Sequence, residues 1–217
     1  MRWALDNAAQ IASLTWSHVL LSAPAIIASL VIAIPLGWWA HRNRFARGTL
    51  LSGSGVLYAL PSLPLFVVLP VLLGTRILDP INVVVAMTLY GVALLVRTAA
   101  EAFDSVDPAV RESAVALGHN RWQRFWQVEL PLAGPPILAG LRVVSASTLS
   151  LVSVGALIGV PSLGYFFTDG YVRNFPTQIA VGIVGTLLLA AVFDLVLVLC
   201  GRLLLPWVRA TDVRGRA

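Results

Sequence analysis

The chain has 217 residues, of which 58% are hydrophobic and only 12% charged. A soluble domain is about a quarter charged, so the composition excludes an ordinary soluble fold and points to the membrane. The net charge is +5, but the excess sits beside apolar stretches and forms no recognition-helix patch, which argues against a nucleic-acid partner.

All fifteen basic residues are arginine. Without lysine the chain cannot carry a G-x-x-x-x-G-K-[ST] phosphate loop, so any ATP it uses is bound by another chain. The one cysteine, Cys200, supports neither a disulfide framework nor a cysteine metal site and reads as a small buried hydrophobe. His18, His41 and His119 are scattered, and no nucleophile–base arrangement is evident. An intramembrane enzyme would need such a cluster at one depth.

Five stretches reach the roughly 20 apolar residues that a helix needs to cross the hydrocarbon core. They run from about 19 to 40, 50 to 73, 81 to 100, 135 to 160 and 178 to 205. Helices are expected throughout, because lipid offers an open strand edge no partner. The first stretch is too long for an obvious removable signal. The second is interrupted by Pro61, Pro64 and Pro70.

Arginine sets the orientation. Arg42, Arg44, Arg47, Arg97, Arg111, Arg121, Arg124, Arg202, Arg209, Arg214 and Arg216 fall on one side, and Arg2, Arg76 and Arg173 on the other. Excess positive charge marks the cytoplasmic side. The expected fold is therefore an all-α integral membrane protein with five transmembrane helices, its N-terminus outside and its C-terminus cytoplasmic. It forms one membrane domain over 1–217, without internal repeats. Trp16, Trp38, Trp39 and Trp207 fall at span ends, as interfacial anchors should.

The cytoplasmic loop at about 101–134 is the polar exception. Asp107 is a good N-cap and Pro108 suits the first helical position. Gly118 suits the left-handed residue that ends a helix. A second short helix is expected after Asn120, stopping before Pro131, with Trp122, Phe125 and Trp126 on one face. On residue chemistry alone this is either an amphipathic connector on the headgroups or a rigid elbow that docks a cytoplasmic partner.

Within the spans, Pro61 and Pro64 cannot both sit in an unbroken helix. The break with Ser62 either borders a translocation path or is a packing kink. Ser145, Ser147, Thr148, Ser150 and Ser153 either let helices approach closely or line a neutral path. Asp194, a charge inside the last span, needs a partner. Arg142 lies within reach at a similar depth, Arg97 is the rival, and a neutral, hydrogen-bonded Asp194 is the third solution. Tyr165, Phe166, Phe167, Tyr171 and Phe175 form either an interfacial belt or a cation–π cage.

Glu112-Ser113-Ala114, three residues, Gly118, nine residues, then Val128-Glu129-Leu130-Pro131 resembles the EAA loop of bacterial ABC importer permeases. The family form is E-A-A, three residues, G, nine residues, I-x-L-P; Ser113 and Val128 are the departures. The resemblance implies a permease subunit whose coupling helix sits in a cleft of a separate ATPase. Glu112, Ala114, Leu117, Gly118, His119 and Asn120 would make that contact, and Pro61, Ser62, Pro64, Ser147 and Ser150 would border the path. It also implies two ATP-binding subunits carrying ATP and magnesium, a second permease subunit, the same or similar, and an extracytoplasmic binding protein. The location would be the bacterial inner membrane, with no cofactor on this chain.

"LYALPSLPLFVVLP" (57–70) and "GALIGVPSLGYFFTDGY" (155–171) resemble the osmoprotectant branch, whose substrates include glycine betaine, carnitine, choline and proline betaine. Val160-Pro161-Ser162 departs from that branch's small-residue run. Methionine or other amino-acid importer permeases share the length and topology. A stand-alone channel, the alternative of another class, would need no coupling loop.

Overall fold

The computed structural model describes residues 2–207, and among these every regular element is a helix. A short α1 (Arg2–Asp6) leads into α2 (Ala8–Arg42), then α3 (Arg44–Ala59) and α4 (Ser62–Leu73). Next come α5 (Pro80–Asp104), α6 (Pro108–Ala116) and α7 (Arg121–Arg124). A π-helical turn (Phe125–Glu129) joins α7 to α8 (Leu130–Val154); a 3-10 turn (Gly155–Ile158), α9 (Tyr165–Val172) and α10 (Pro176–Leu204) complete the chain. Arg209, Arg214 and Arg216, counted in the charge asymmetry, lie outside the described residues.

Four helices are long and apolar enough to cross a membrane, those built on α2, α5, α8 and α10. The second expected span, with its proline break, is α3 and α4, bent by 107°. The cause is local: Pro61 and Pro64 each remove a backbone donor, and Leu60 and Pro61 adopt extended dihedrals.

Helix α2 begins eleven residues before the apolar stretch that starts at Val19. Its 35 residues reach about 52 Å at 1.5 Å per residue. The extra turns are held by packing, because Ile11 and Leu14 rest on the Leu149–Leu163–Phe166 cluster.

Helices α2 and α5 lie side by side and run in the same direction. Gly37 abuts Ala99, and Gly91 abuts Ser29, a constant offset of 62 residues along both helices. At one end Leu21 and Ala25 share a core with Val83 and Ala86. At the other end Trp38 shares one with Phe103 and Phe125. Between them Ile26 and Ala33 pack with Leu95, Leu141 and Val144. The bundle therefore has a far end, a middle layer and an end that carries α6 and α7. Small residues set the contact distance, as in helix pairs that cannot rely on hydrophobic exclusion from lipid.

The surface is apolar where a soluble protein would be polar. Ile183, Leu187, Leu188, Leu195 and Leu203 point outward along α10, and only 6% of its most apolar window is buried. Cys200, expected inside, is exposed because it lies on this unpartnered face. Trp16 and Trp39 are exposed, but Trp38 is buried beneath α7 and is no lipid anchor.

A side chain at Gly91 would overlap the Ser29 hydroxyl and lie 2.7 Å from its Cβ. Gly91→Val should therefore push α2 and α5 apart and cost about 1–3 kcal/mol, read as a lower unfolding temperature in detergent. Gly53→Ala, where nothing lies within 4 Å, is the control.

Candidate functional site

The end of the bundle that carries α6 and α7 is an elbow. Asp107 accepts the Ala109 N–H at 2.8 Å, capping α6 ahead of Pro108. The helix ends at Gly118, whose φ of 84° suits a residue without Cβ. Gly118 N–H donates to Val115 O at 2.9 Å and His119 N–H to Ala114 O at 3.1 Å, a Schellman ending. The next helix starts with a capping box. The Asn120 side chain accepts from Trp122 and Gln123 N–H, and the Gln123 side chain accepts from Asn120 N–H.

This second helix does not stop before Pro131. It passes through the π turn, in which Leu130 N–H donates to Phe125 O, and continues as α8. The widened turn makes room for a proline with no N–H to offer.

Two anchors hold the elbow rigidly. The buried Glu129 carboxylate accepts the Trp38 indole N–H at 2.7 Å and Arg124 Nε–H at 2.9 Å. Trp38 packs on Phe125 at 4.8 Å between centroids. The guanidiniums of Arg42 and Arg121 each stand 5.0 Å from the Trp38 ring centre, within cation–π range. The second anchor is Arg111, which donates to Phe103 O at 2.6 Å and Val106 O at 2.8 Å. It thereby satisfies carbonyls at the C-terminal end of α5. Asp104, at that end, takes His41 at 2.5 Å and also Arg47.

Of the six expected coupling residues, Ala114 is buried and fixes α6 to the bundle. Leu117 is 78% exposed, and Glu112, Gly118 and Asn120 are exposed beside it. His119 is turned back on α6, with Nδ1 3.2 Å from Ala114 O. Val115, Trp122 and Trp126 extend the apolar surface. A groove of about 560 Å³ runs alongside, lined by His41, Arg42, Arg111, Glu112, Arg124 and Glu129 among others. Sequence reasoning missed Glu129 and Trp38 as the fastening; the signal was an acid inside the Val128–Pro131 tetrad.

The middle layer holds polar groups in an apolar bundle. Arg142 Nε donates to Asp194 Oδ1 at 2.6 Å and a terminal nitrogen donates to Oδ2 at 2.8 Å. This is a bidentate pair between α8 and α10, with both side chains 45% exposed. Arg142, and not Arg97, holds Asp194. At the break between α3 and α4, Pro64 cannot donate to Leu60 O; the Tyr90 hydroxyl does so instead at 2.6 Å. Pro61 and Pro64 are exposed and Ser62 is half-buried. Ser145 is buried without a partner, Ser147 is half-buried and Ser150 exposed.

At the far end, His18 is wholly buried. Its Nε2 donates to Leu149 O at 3.0 Å and its Nδ1 accepts Leu163 N–H at 3.3 Å. One neutral tautomer meets both demands and ties α2 to α8 and to the turn before α9. The far-end aromatics diverge. Phe166 is core, edge-on to Trp3 at 6.0 Å, whereas Tyr171 points outward.

An apolar bundle with a braced polar elbow at one end and ion-paired charge at mid-depth is the construction of a membrane transport subunit. The chain matches the binding-protein-dependent transport system inner membrane component family over residues 25–210 and belongs to it. It is 32% identical to the osmoprotectant import permease protein OsmW of Salmonella typhimurium, covering 89% of this chain and 91% of that protein. It is 29% identical to the carnitine transport permease protein OpuCD of Listeria monocytogenes, covering 90% and 83%. Its fold is similar to a chain of the inward-facing MetNI methionine ABC transporter, with a TM-score of 0.75 over 88% of this chain and 96% of that one. At 17% identity that likeness concerns the fold alone.

Glu129→Ala removes the acceptor of a buried indole N–H and leaves Arg124 unpaired. The expected loss is about 1–3 kcal/mol, read as earlier unfolding and faster proteolysis between Asp104 and Leu130. Arg142→Ala should destabilise the α8–α10 contact, because it strands a carboxylate at mid-depth. Asp194→Asn in the same chain should recover part of that loss in the same unfolding measurement.

Proposed function

We propose that this chain is the permease subunit of an ATP-driven importer for quaternary-amine osmoprotectants: glycine betaine, carnitine, choline and proline betaine. The observation that carries the reading is the elbow. It holds the EAA-type spacing from Glu112 to Pro131, is clamped to α2 and α5 through Glu129 and Arg111, and presents Leu117 to solvent. A stand-alone channel has no use for such a handle. The substrate class is supported by the osmoprotectant and carnitine permeases among its relatives.

The chain works as one membrane domain over 1–217 in the bacterial inner membrane, with its N-terminus outside and its C-terminus cytoplasmic. Five crossings are favoured by connectivity. Because α2 and α5 run the same way, the bent α3–α4 pair must return the chain across the bundle. Two permease subunits, the same or similar, two ATP-hydrolysing subunits and an extracytoplasmic binding protein complete the machine. ATP and magnesium belong to the hydrolysing subunits, and this chain catalyses no covalent step.

Docking through Glu112, Leu117, Gly118 and Asn120, with Ala114 buried beneath them and His119 turned back on α6, turns closure of the ATPase pair into rigid-body movement of the spans. Pro61, Ser62, Pro64, Ser147 and Ser150 border the path. The second reading is a methionine or other amino-acid importer, whose permeases share this length and topology.

Uptake of labelled glycine betaine, carnitine, choline and methionine into vesicles carrying the full complex decides between the two. ATP-dependent uptake of a quaternary amine, unmatched by methionine, is the expected result; methionine alone would reverse the assignment. Leu117→Asp should lower uptake about tenfold or more, the usual effect of losing an interface anchor, while the chain still inserts and unfolds at an unchanged temperature.

A further inference from the structure

The break between α3 and α4 places a tyrosine where lipid would not tolerate it. Tyr90 is the eleventh of the 25 residues of α5, about 15 Å from its start at 1.5 Å per residue. Its neighbour Gly91 abuts Ser29 and Val144, in the middle layer. The Tyr90 ring packs in the core with Leu21, Ala25 and Val83, next to that layer, and its hydroxyl is spent on Leu60 O, so the break lies within one side-chain length of Tyr90. Tyr58 stands edge-on to Tyr90 with ring centroids 6.1 Å apart, and it is 45% exposed.

A tyrosine facing hydrocarbon belongs at the headgroup boundary, where its hydroxyl meets water. At mid-depth an exposed phenol is tolerated when it faces a water-filled path or another protein, and the same holds for the interrupted backbone beside it. Discontinuous helices at the midplane are where transporters bind their cargo. Gly55, three residues before Tyr58 on the same helix, has empty space where a side chain would project, so the approach beside the ring is open. The ring is held in place, because Tyr90 is buried and tethered by its own hydrogen bond.

We propose that Tyr58, backed by Tyr90, is the surface on which a quaternary ammonium group rests during its passage. The chemistry is cation–π: a methylated ammonium cannot donate a hydrogen bond, and an electron-rich ring face is the neutral group that attracts it. No carboxylate is needed, which suits a zwitterion that must leave again. The assignment rests on the quaternary-amine reading above.

The test uses the full complex in vesicles. Tyr58→Leu raises the choline concentration for half-maximal uptake about tenfold, within the range of a desolvated cation–π contact. Tyr58→Phe, which keeps the ring, recovers most of that loss. In a Cys200→Ser background, Tyr58→Cys reacts with a trimethylammonium methanethiosulfonate reagent, and choline slows the reaction. Wild-type-like choline uptake by Tyr58→Leu overturns the site and leaves the quaternary-amine reading standing. So does a Tyr58→Cys thiol that stays unlabelled in the assembled transporter, which would mean that a second subunit or lipid covers the ring. A wild-type complex that takes up no quaternary amine overturns the reading itself, and the site with it. If Tyr58→Leu fails to assemble, the labelling and its protection by choline decide alone.

Discussion

The buried carboxylate of Glu129 is the constraint on which the elbow depends. It joins its own segment, α7 and the π turn, to α2, which lies 91 residues earlier at Trp38. Trp38 arrives from α2 with one N–H to place, and Arg124 arrives from α7 with a charge; Glu129 accepts both. A carboxylate so placed is costly unless every contact is made, and with every contact made it is specific. The indole can then receive Phe125 on its surface, and α7 can run through the π turn into α8. With Arg111 capping α5 from the other side, a displacement of α6 has no soft joint in which to be lost. That stiffness is what a helix needs if it is to pass movement from a soluble neighbour to the spans.

The rest of the bundle is governed by scarcity of water. Most polar groups inside the bundle find a partner within the protein, Ser22, Ser145 and Ser153 excepted among the described residues, and the solutions differ in kind. Arg142 and Asp194 neutralise each other across two helices. Tyr90 replaces the donor that Pro64 lacks. His18 uses both ring nitrogens to join three segments. The half-exposed state of the ion pair implies that α8 and α10 turn this face toward protein or water, because a charge pair facing lipid would be expensive. The apolar remainder of α10 has no such objection to lipid.

The elbow's grammar was legible from residues alone, because caps and turns are decided within a few positions. Asp107, Pro108, Gly118 and Asn120 each act on backbone groups two to five residues away, and the structure uses them so. The breaking effect of Pro61 and Pro64 was legible for the same reason. Membrane class and the approximate places of the spans followed from composition and length, since lipid selects helices of about 20 apolar residues.

What only the tertiary structure decided is which faces meet. Trp38 looked like a lipid anchor and is instead the floor of the elbow, because α7 folds over it. Pro131 looked like a stop, yet the preceding π turn carries the helix past it. Helix α2 reaches back to Ala8 because Ile11 and Leu14 find a core that no local pattern announces. The sequence left Asp194 two arginine partners or a neutral state, and the packing of α8 on α10 settled on Arg142. It also left the size of the bend at Leu60 open. Proline forbids a straight helix there, but Tyr90, thirty residues on, holds the freed carbonyl. Short-range backbone chemistry is written in the order of residues, whereas pairings across the bundle depend on depth and rotation, which that order does not state.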